Sequence, residues 1–371
     1  MHKQVSSRYD IIDVLRGVAI LLVVIRHTQI RIPFEKADLL ANVPTAFINA
    51  IFISGNEGVR IFFVISGFII TMMSLNRYSN LASINTRQFY LFRFARIMPC
   101  LIGLLVILTA LDFFSVKGYI INSKFSYSEV LFSALTFHLN WLEGMKGYLP
   151  PAWDVLWSLS VEEVFYLFFP LMCLFSKRKE VVYIVLIALI LIGPLNRLFL
   201  EDSKVWQSKA YLSCMDSIAM GCLFALISHK KKIAKSLVTT LSIVGAVMVM
   251  FVLIHKRGTS FSLLSDFYLY KTLLSIGVGL LLVAAVRQKL TGPIRTMLLP
   301  LIVYGRLSYE VYLTHVFIVL AGIGLYRKYE VNLELSFIFL AGIVLLSGLL
   351  GYWVERYFST PINQWIRNKA L

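Results

Sequence analysis

The sequence predicts an all-α, polytopic membrane protein, and three observations carry that prediction. Of 371 residues, 58% are hydrophobic and only 15% charged, where a soluble domain carries roughly 25% charged residues. Ten apolar stretches long enough to span a bilayer recur along the chain. The loops between them alternate in charge. The composition excludes a cytosolic enzyme, and it excludes a disordered chain, which is poor in apolar residues. The net charge of +16 would point to nucleic acid in a soluble protein. In a membrane protein it reads as topology, because cytoplasmic loops hold surplus Lys and Arg.

Taken in order, the polar leader Met1 to Asp10 runs straight into an apolar stretch with no small-residue cleavage site, so a retained first helix is expected. The expected spans are residues 11–30, 58–75, 97–114, 153–175, 181–199, 211–228, 236–254, 269–286, 299–326 and 335–357. The stretch 129–143 is short and holds His138, Asn140 and Glu143, so it is expected as a re-entrant or interfacial helix, with a full extra span as the competing reading. If it does not cross, the basic loops fall on one side: Arg77, Arg87, Arg93 and Arg96; Lys177, Arg178 and Lys179; Lys230, Lys231, Lys232 and Lys235; Arg287, Lys289 and Arg295. Both termini fall there too, with Lys3, Arg8, Arg367 and Lys369, so the orientation is N-in and C-in. On these boundaries inner segments hold 18 Lys/Arg against 2 Asp/Glu, and outer segments 11 against 10. The whole chain, 1–371, reads as one membrane domain with no appended soluble domain, tandem repeat or low-complexity tract. Cys100, Cys173, Cys214 and Cys222 lie in apolar segments without CxxC spacing, which indicates buried thiols and no metal site.

Charged residues inside spans are costly and usually face a cavity, so each is a functional candidate. The first span holds Asp13, Arg16, Arg26 and His27. Arg16 and His27 are eleven positions apart, which on a helix returns to within about 20° of the same face, roughly 16 Å along the axis. That face would offer a cation near the cytoplasm and an imidazole near the outer side, suited to an anionic donor reaching outward. The alternative is an interfacial Arg26–His27 pair with a local Asp13–Arg16 ion pair.

Glu162 and Glu163 are adjacent and project about 100° apart, so they cannot share one environment. Glu162 falls at a depth compatible with His27, where the two could serve as base and orienter. The alternative is a buried Glu–Arg pair that joins helices. Arg93 and Arg96 are three apart at the cytoplasmic interface, where guanidinium forks suit phosphate oxygens; plain topological anchoring is the other reading. Asp216 and His315 lie in later spans, and small residues between Gly58 and Phe68 suit close helix packing. No GxxxxGK[ST], HExxH or GxSxG motif occurs.

These segments together resemble the integral-membrane acyltransferase-3 family. The matching pieces are Tyr9 to Gly17 continued to His27 (the family's Arg-x10-His), Gly58 to Phe68, Arg93 to Pro99, Trp157 to Tyr166 (its WSLSxExxFY signature), Asp216 with Gly221, and Leu307 to His315. Their collinear order covers residues 9 to 357. Cys100 after Pro99, where relatives often have Tyr, and Cys214 before Asp216, where Arg is common, are departures.

The resemblance implies ten core helices, a cytoplasmic acyl-coenzyme A donor and a hydroxyl acceptor outside, by default a cell-surface carbohydrate such as lipopolysaccharide. It implies His27 as the catalytic base or acyl-handling residue, Glu162 as a functional acid, and Arg16, Arg93 and Arg96 as donor-binding residues. Asp13, Ser158, Glu163, Asp216 and His315 are expected to support the site. The resulting expectation is a bacterial inner-membrane O-acyltransferase, with acetyl-coenzyme A as co-substrate, no permanently bound cofactor or metal, and no nucleic-acid partner. A multi-pass transporter or flippase that uses the same buried charges is the rival class.

Overall fold

The computed structural model describes residues 9–78, 80–175, 179–229, 232–255 and 268–370. Lys3, Arg8, Lys177, Arg178, Lys230 and Lys231 of the basic loops lie outside the described residues. Among the described residues the structure is all-helical, without strands. Ten long helices follow the expected apolar stretches: α1 Asp10–Gln29, α2 Gly55–Tyr78, α3 Thr86–Phe113, α4 Trp157–Phe175, α5 Lys179–Phe199, α6 Tyr211–Ser228, α7 Lys235–His255, α8 Leu269–Ala285, α9 Ser308–Lys328 and α10 Ser336–Val354. Eight helical stretches among the described residues are long and apolar enough to cross a membrane. The two helices of the ten outside that group are α1, which carries several charges, and α8, which has 17 residues.

Three stretches differ from expectation. The third helix begins at Thr86 rather than near 97, because the Asn85 side chain accepts from the Gln88 amide and caps it eleven residues early. The stretch 299–326 is two helices, Leu299–Arg306 and α9, broken at Leu307. The stretch 129–143 is also two helices, Tyr127–Leu135 and Leu139–Lys146, parted where Phe137 takes a positive φ of 58°. Neither piece reaches the length of a span. Their surface pair Lys146–Glu129, 2.7 Å, hydrogen-bonds the Glu129 carboxyl and holds it below the usual carboxylate range.

Glycines set the closest helix approaches, as the small residues of the second span suggested. A Cβ on Gly67 would lie 2.0 Å from the Ile218 carbonyl oxygen, and one on Gly221 would lie 2.0 Å from that of Val64, so α2 and α6 meet backbone to backbone. On the other side of α2, α1 packs along Leu299–Arg306 and α9. Helices α5 and α7 turn large apolar side chains outward, among them Ile184, Leu191 and Val247, as faces toward lipid require. The chain continues past α10 through a π-helical turn, Glu355–Ser359, into Thr360–Ala370.

Candidate active site

Five helices, α1, α2, α3, α4 and α9, enclose a cavity of about 220 Å³. Each contributes polar groups at helical spacing. Ser158, Glu162 and Tyr166 recur every fourth residue of α4 and so share its inner face. Arg93 and Arg96 come from the first turns of α3, Arg16 from α1, Ser66 from α2, and Ser308, Tyr309 and Tyr312 from α9. Phe62 and Phe63 supply apolar wall.

The charges in this cavity are held in defined geometry. The Arg16 Nε donates to Ser308 Oγ at 3.1 Å. The Arg93 guanidinium stacks 4.3 Å from the centre of the Tyr166 ring, and that of Arg96 stacks 4.8 Å from that of Tyr309. Arg96 also pairs with the fully buried Glu310 at 2.9 Å, and Ser359 in the π turn donates to the same carboxylate oxygen at 2.7 Å. A π turn at such a place is common beside functional sites. Tyr166 and Ser66 share a hydroxyl–hydroxyl hydrogen bond. Glu162 faces Arg93, Arg16 and Ser66. Glu163, one residue on, does not line the cavity, and one of its carboxyl oxygens is buried without a partner. Only one of the two carboxylates therefore faces the cavity, although the field of Arg93 reaches both.

His27 lies beyond Tyr312. The Tyr312 hydroxyl donates to the Val155 carbonyl at 3.0 Å and bonds Ser158 Oγ at 2.7 Å. The His315 ring centre is 6.0 Å from the Tyr312 ring, and the His27 ring meets His315 edge-on with centres 5.0 Å apart. Glu162 and His27 each face a different set of charged neighbours. Glu162 sits among arginines on the cavity floor, and Asp154 is the carboxylate whose field reaches His27. The Lys209 ammonium bridges Asp154 to the buried Glu143, at 2.7 Å from the latter. Arg26 donates to Gln29, which donates to Glu35 at 2.9 Å, so Arg26 is turned into the loop after α1.

Besides Glu163 and His315, two expected supporting residues, Asp13 and Asp216, lie outside the cavity. Asp13 accepts from Arg306 at 3.1 Å and so ties α1 to Leu299–Arg306. Asp216 is gripped by Arg197 at 2.8 Å and by Arg60 at 3.4 Å, all three buried, at the packing of α2, α5 and α6.

Residues 9–355 match the family model described as an acyltransferase domain, acyltransferase-3. The chain belongs to the acyltransferase-3 family. Among curated relatives it is similar to O-acetyltransferase OatA of Staphylococcus aureus (strain NCTC 8325 / PS 47), with 25% identity over 388 residues, 98% of this chain and 59% of the relative. The relative of the same name from strain COL matches to the same extent. The chain thus spans 59% of the length of these relatives. No solved structure matches it.

Of the acyltransferase-3 residues expected from sequence, the cavity gathers Arg16, Arg93, Arg96, Ser158 and Glu162. His27 and His315 meet each other on the far side of Tyr312. Sequence reasoning missed Asp154, Ser66 and Glu310. Asp154 lay in plain view three residues before Trp157, but its role depends on Lys209, 55 positions away. Glu310 was masked by the motif around it. An acid within an apolar stretch, between Tyr309 and Val311, was the available signal.

Proposed function

We propose that this chain is an integral-membrane O-acyltransferase that moves an acetyl group from cytoplasmic acetyl-coenzyme A to a hydroxyl of an extracytoplasmic carbohydrate. In this reading it crosses the bacterial cytoplasmic membrane ten times with both ends inside. The carrying observation is the cavity itself: arginines and Glu162 at one end, with Tyr312 leading to the imidazoles of His315 and His27. Family membership and the OatA relatives support the acyl-transfer chemistry.

Coenzyme A is too polar to pass through lipid, so its phosphates stay at the inner end. Arg93 is the best placed cation for them, since the charge of Arg96 is matched by Glu310. Arg16, held by Ser308, lines the way for the pantetheine arm. At the outer end a neutral His27 takes the proton of the acceptor hydroxyl. The hydroxyl oxygen bonds to the thioester carbonyl carbon, the carbon–sulfur bond breaks, and the proton passes to the departing thiolate. An acyl-enzyme route uses the same base twice.

The test is incubation of the purified protein with labelled acetyl-coenzyme A and with lipopolysaccharide or capsular polysaccharide as acceptor. Label should appear on the glycan with one free thiol released per acetyl group. His27→Ala should lose about 100-fold or more of that turnover, and Arg93→Ala should raise KM for the donor. A folded His27→Ala protein that turns over like wild type would defeat the assignment, and movement of donor or glycan without acetylated product would favour transport.

A further inference from the structure

His315 is fully buried on α9. Its Nδ1 lies 2.8 Å from the Tyr312 carbonyl oxygen and 3.2 Å from that of Val311. A carbonyl oxygen only accepts, so Nδ1 carries the ring proton and Nε2 presents a bare lone pair. That Nε2 is buried with no hydrogen-bond partner, and a buried polar atom left unpaired calls for an explanation. The neighbouring ring is His27, centre to centre 5.0 Å with the planes at 88°. Ring nitrogens stand off from their centres, so that separation leaves room for an N–H···N bond of about 2.9 Å after a small turn of either ring.

We infer that His315 is a positioning residue for His27: its Nε2 accepts the ring N–H of His27 and fixes the tautomer whose other nitrogen takes the proton of the incoming hydroxyl. This rests on the acyl-transfer reading above. The second nitrogen of a histidine is set by the bond the first one makes, and here the helix backbone sets His315 first. His315 exchanges no proton. It orients His27 and stabilises the imidazolium that forms when the hydroxyl proton arrives. The charges around His27 are Asp154 from the outer side, Arg26 and Arg31 from its own chain segment, and Lys209 behind Asp154. The fixed donor of His315 keeps its lone pair available among them.

A packing role and a positioning role predict opposite orders for two variants. His315→Phe keeps a ring of similar shape without an acceptor, whereas His315→Gln sets an amide oxygen near the Nε2 position. With acetyl-coenzyme A and the polysaccharide acceptor, His315→Phe should lose about 100-fold in kcat at unchanged donor KM. His315→Gln should stay within about tenfold of wild type. Phe at or above Gln, or equal loss in both, overturns the inference. Nitrogen-15 spectra of histidine-labelled wild-type protein give an independent reading: Nε2 of His315 should appear neutral and hydrogen-bonded, and a free Nε2 overturns the proposal without any variant. His27→Ala separates the two levels. If it is inactive while His315→Phe matches wild type, only this inference falls, whereas an active His27→Ala removes the reading beneath it.

Discussion

Asp216 holds two guanidinium groups inside the bundle, and its surroundings decide what its loss would do. Arg197 is 0% exposed, Arg60 4% and Asp216 2%. Arg197 also donates to the Ser213 carbonyl at 2.6 Å, and Arg60 to the same oxygen at 3.0 Å. Removing the carboxylate leaves two buried cations facing each other, a loss that typically costs about 3–5 kcal/mol. Asp216→Ala should therefore lower the thermal midpoint in detergent sharply, and Asp216→Asn, which keeps one acceptor oxygen, should lower it less. Donor affinity of the folded fraction should match wild type, because Asp216 does not line the cavity. A stable Asp216→Ala protein with weakened donor binding would place this residue in the site instead. The contrast with Arg93 is instructive. Asp216 stood out in the sequence as a charge inside a span and Arg93 as one at a helix end, but only the partners, far away in sequence, separate a packing charge from a cavity charge.

At the scale of elements, hydropathy located the helices but not their breaks. The segment 299–326 reads as one run because no proline marks Leu307, where the first helix ends, and apolar residues continue on both sides of the polar Arg306 and Ser308. The break lets Leu299–Arg306 lie against α1 at backbone distance: a Cβ on Gly305 would fall 1.7 Å from the Asp13 carbonyl oxygen, and one on Gly17 would fall 2.2 Å from that of Leu301. Arg306, at the end of the same short helix, then reaches Asp13 and Asp10. Gly305→Ala meets main chain rather than a yielding side chain, so it should cost about 3 kcal/mol, the upper part of the range for overpacking. Gly342→Ala, on α10 with nothing within 4 Å of the added carbon, should leave stability within about 1 kcal/mol of wild type. Thermal unfolding of the pair measures this, and equal midpoints would mean that the α1 contact is not a tight one. The Asn85 cap is legible in the sequence by contrast, as Asn-Thr-Arg-Gln ahead of a helical run.

Across the whole molecule, the inner–outer charge difference and the helix count make one joint prediction about sidedness. Between Ser123 and Lys289 lie five of the long helices, α4 to α8. Four of these overlap stretches long and apolar enough to cross a membrane. The fifth, α8, has 17 residues, about 25 Å at 1.5 Å per residue, which is short of a roughly 30 Å hydrocarbon core. A bilayer thins locally around such a helix at modest cost, and its buried Lys271 end sits among the polar groups of α6, with Ser275 bonded to Ser217 at 3.0 Å. If α8 crosses, Ser123 and Lys289 face opposite sides; if it does not, they face the same one. The four native cysteines are free and buried, so the wild-type chain gives a silent background for thiol labelling, and Ser123 and Lys289 are both exposed. A membrane-impermeant maleimide should label Ser123→Cys on intact cells, and should label Lys289→Cys only once the membrane is opened. Labelling of both on intact cells would remove α8 from the crossings, turn the C-terminal helices over, and move the basic Arg287–Arg295 loop to the outer face. The reverse pattern would invert the whole chain and put Arg93 on the side where no coenzyme A thioester is found.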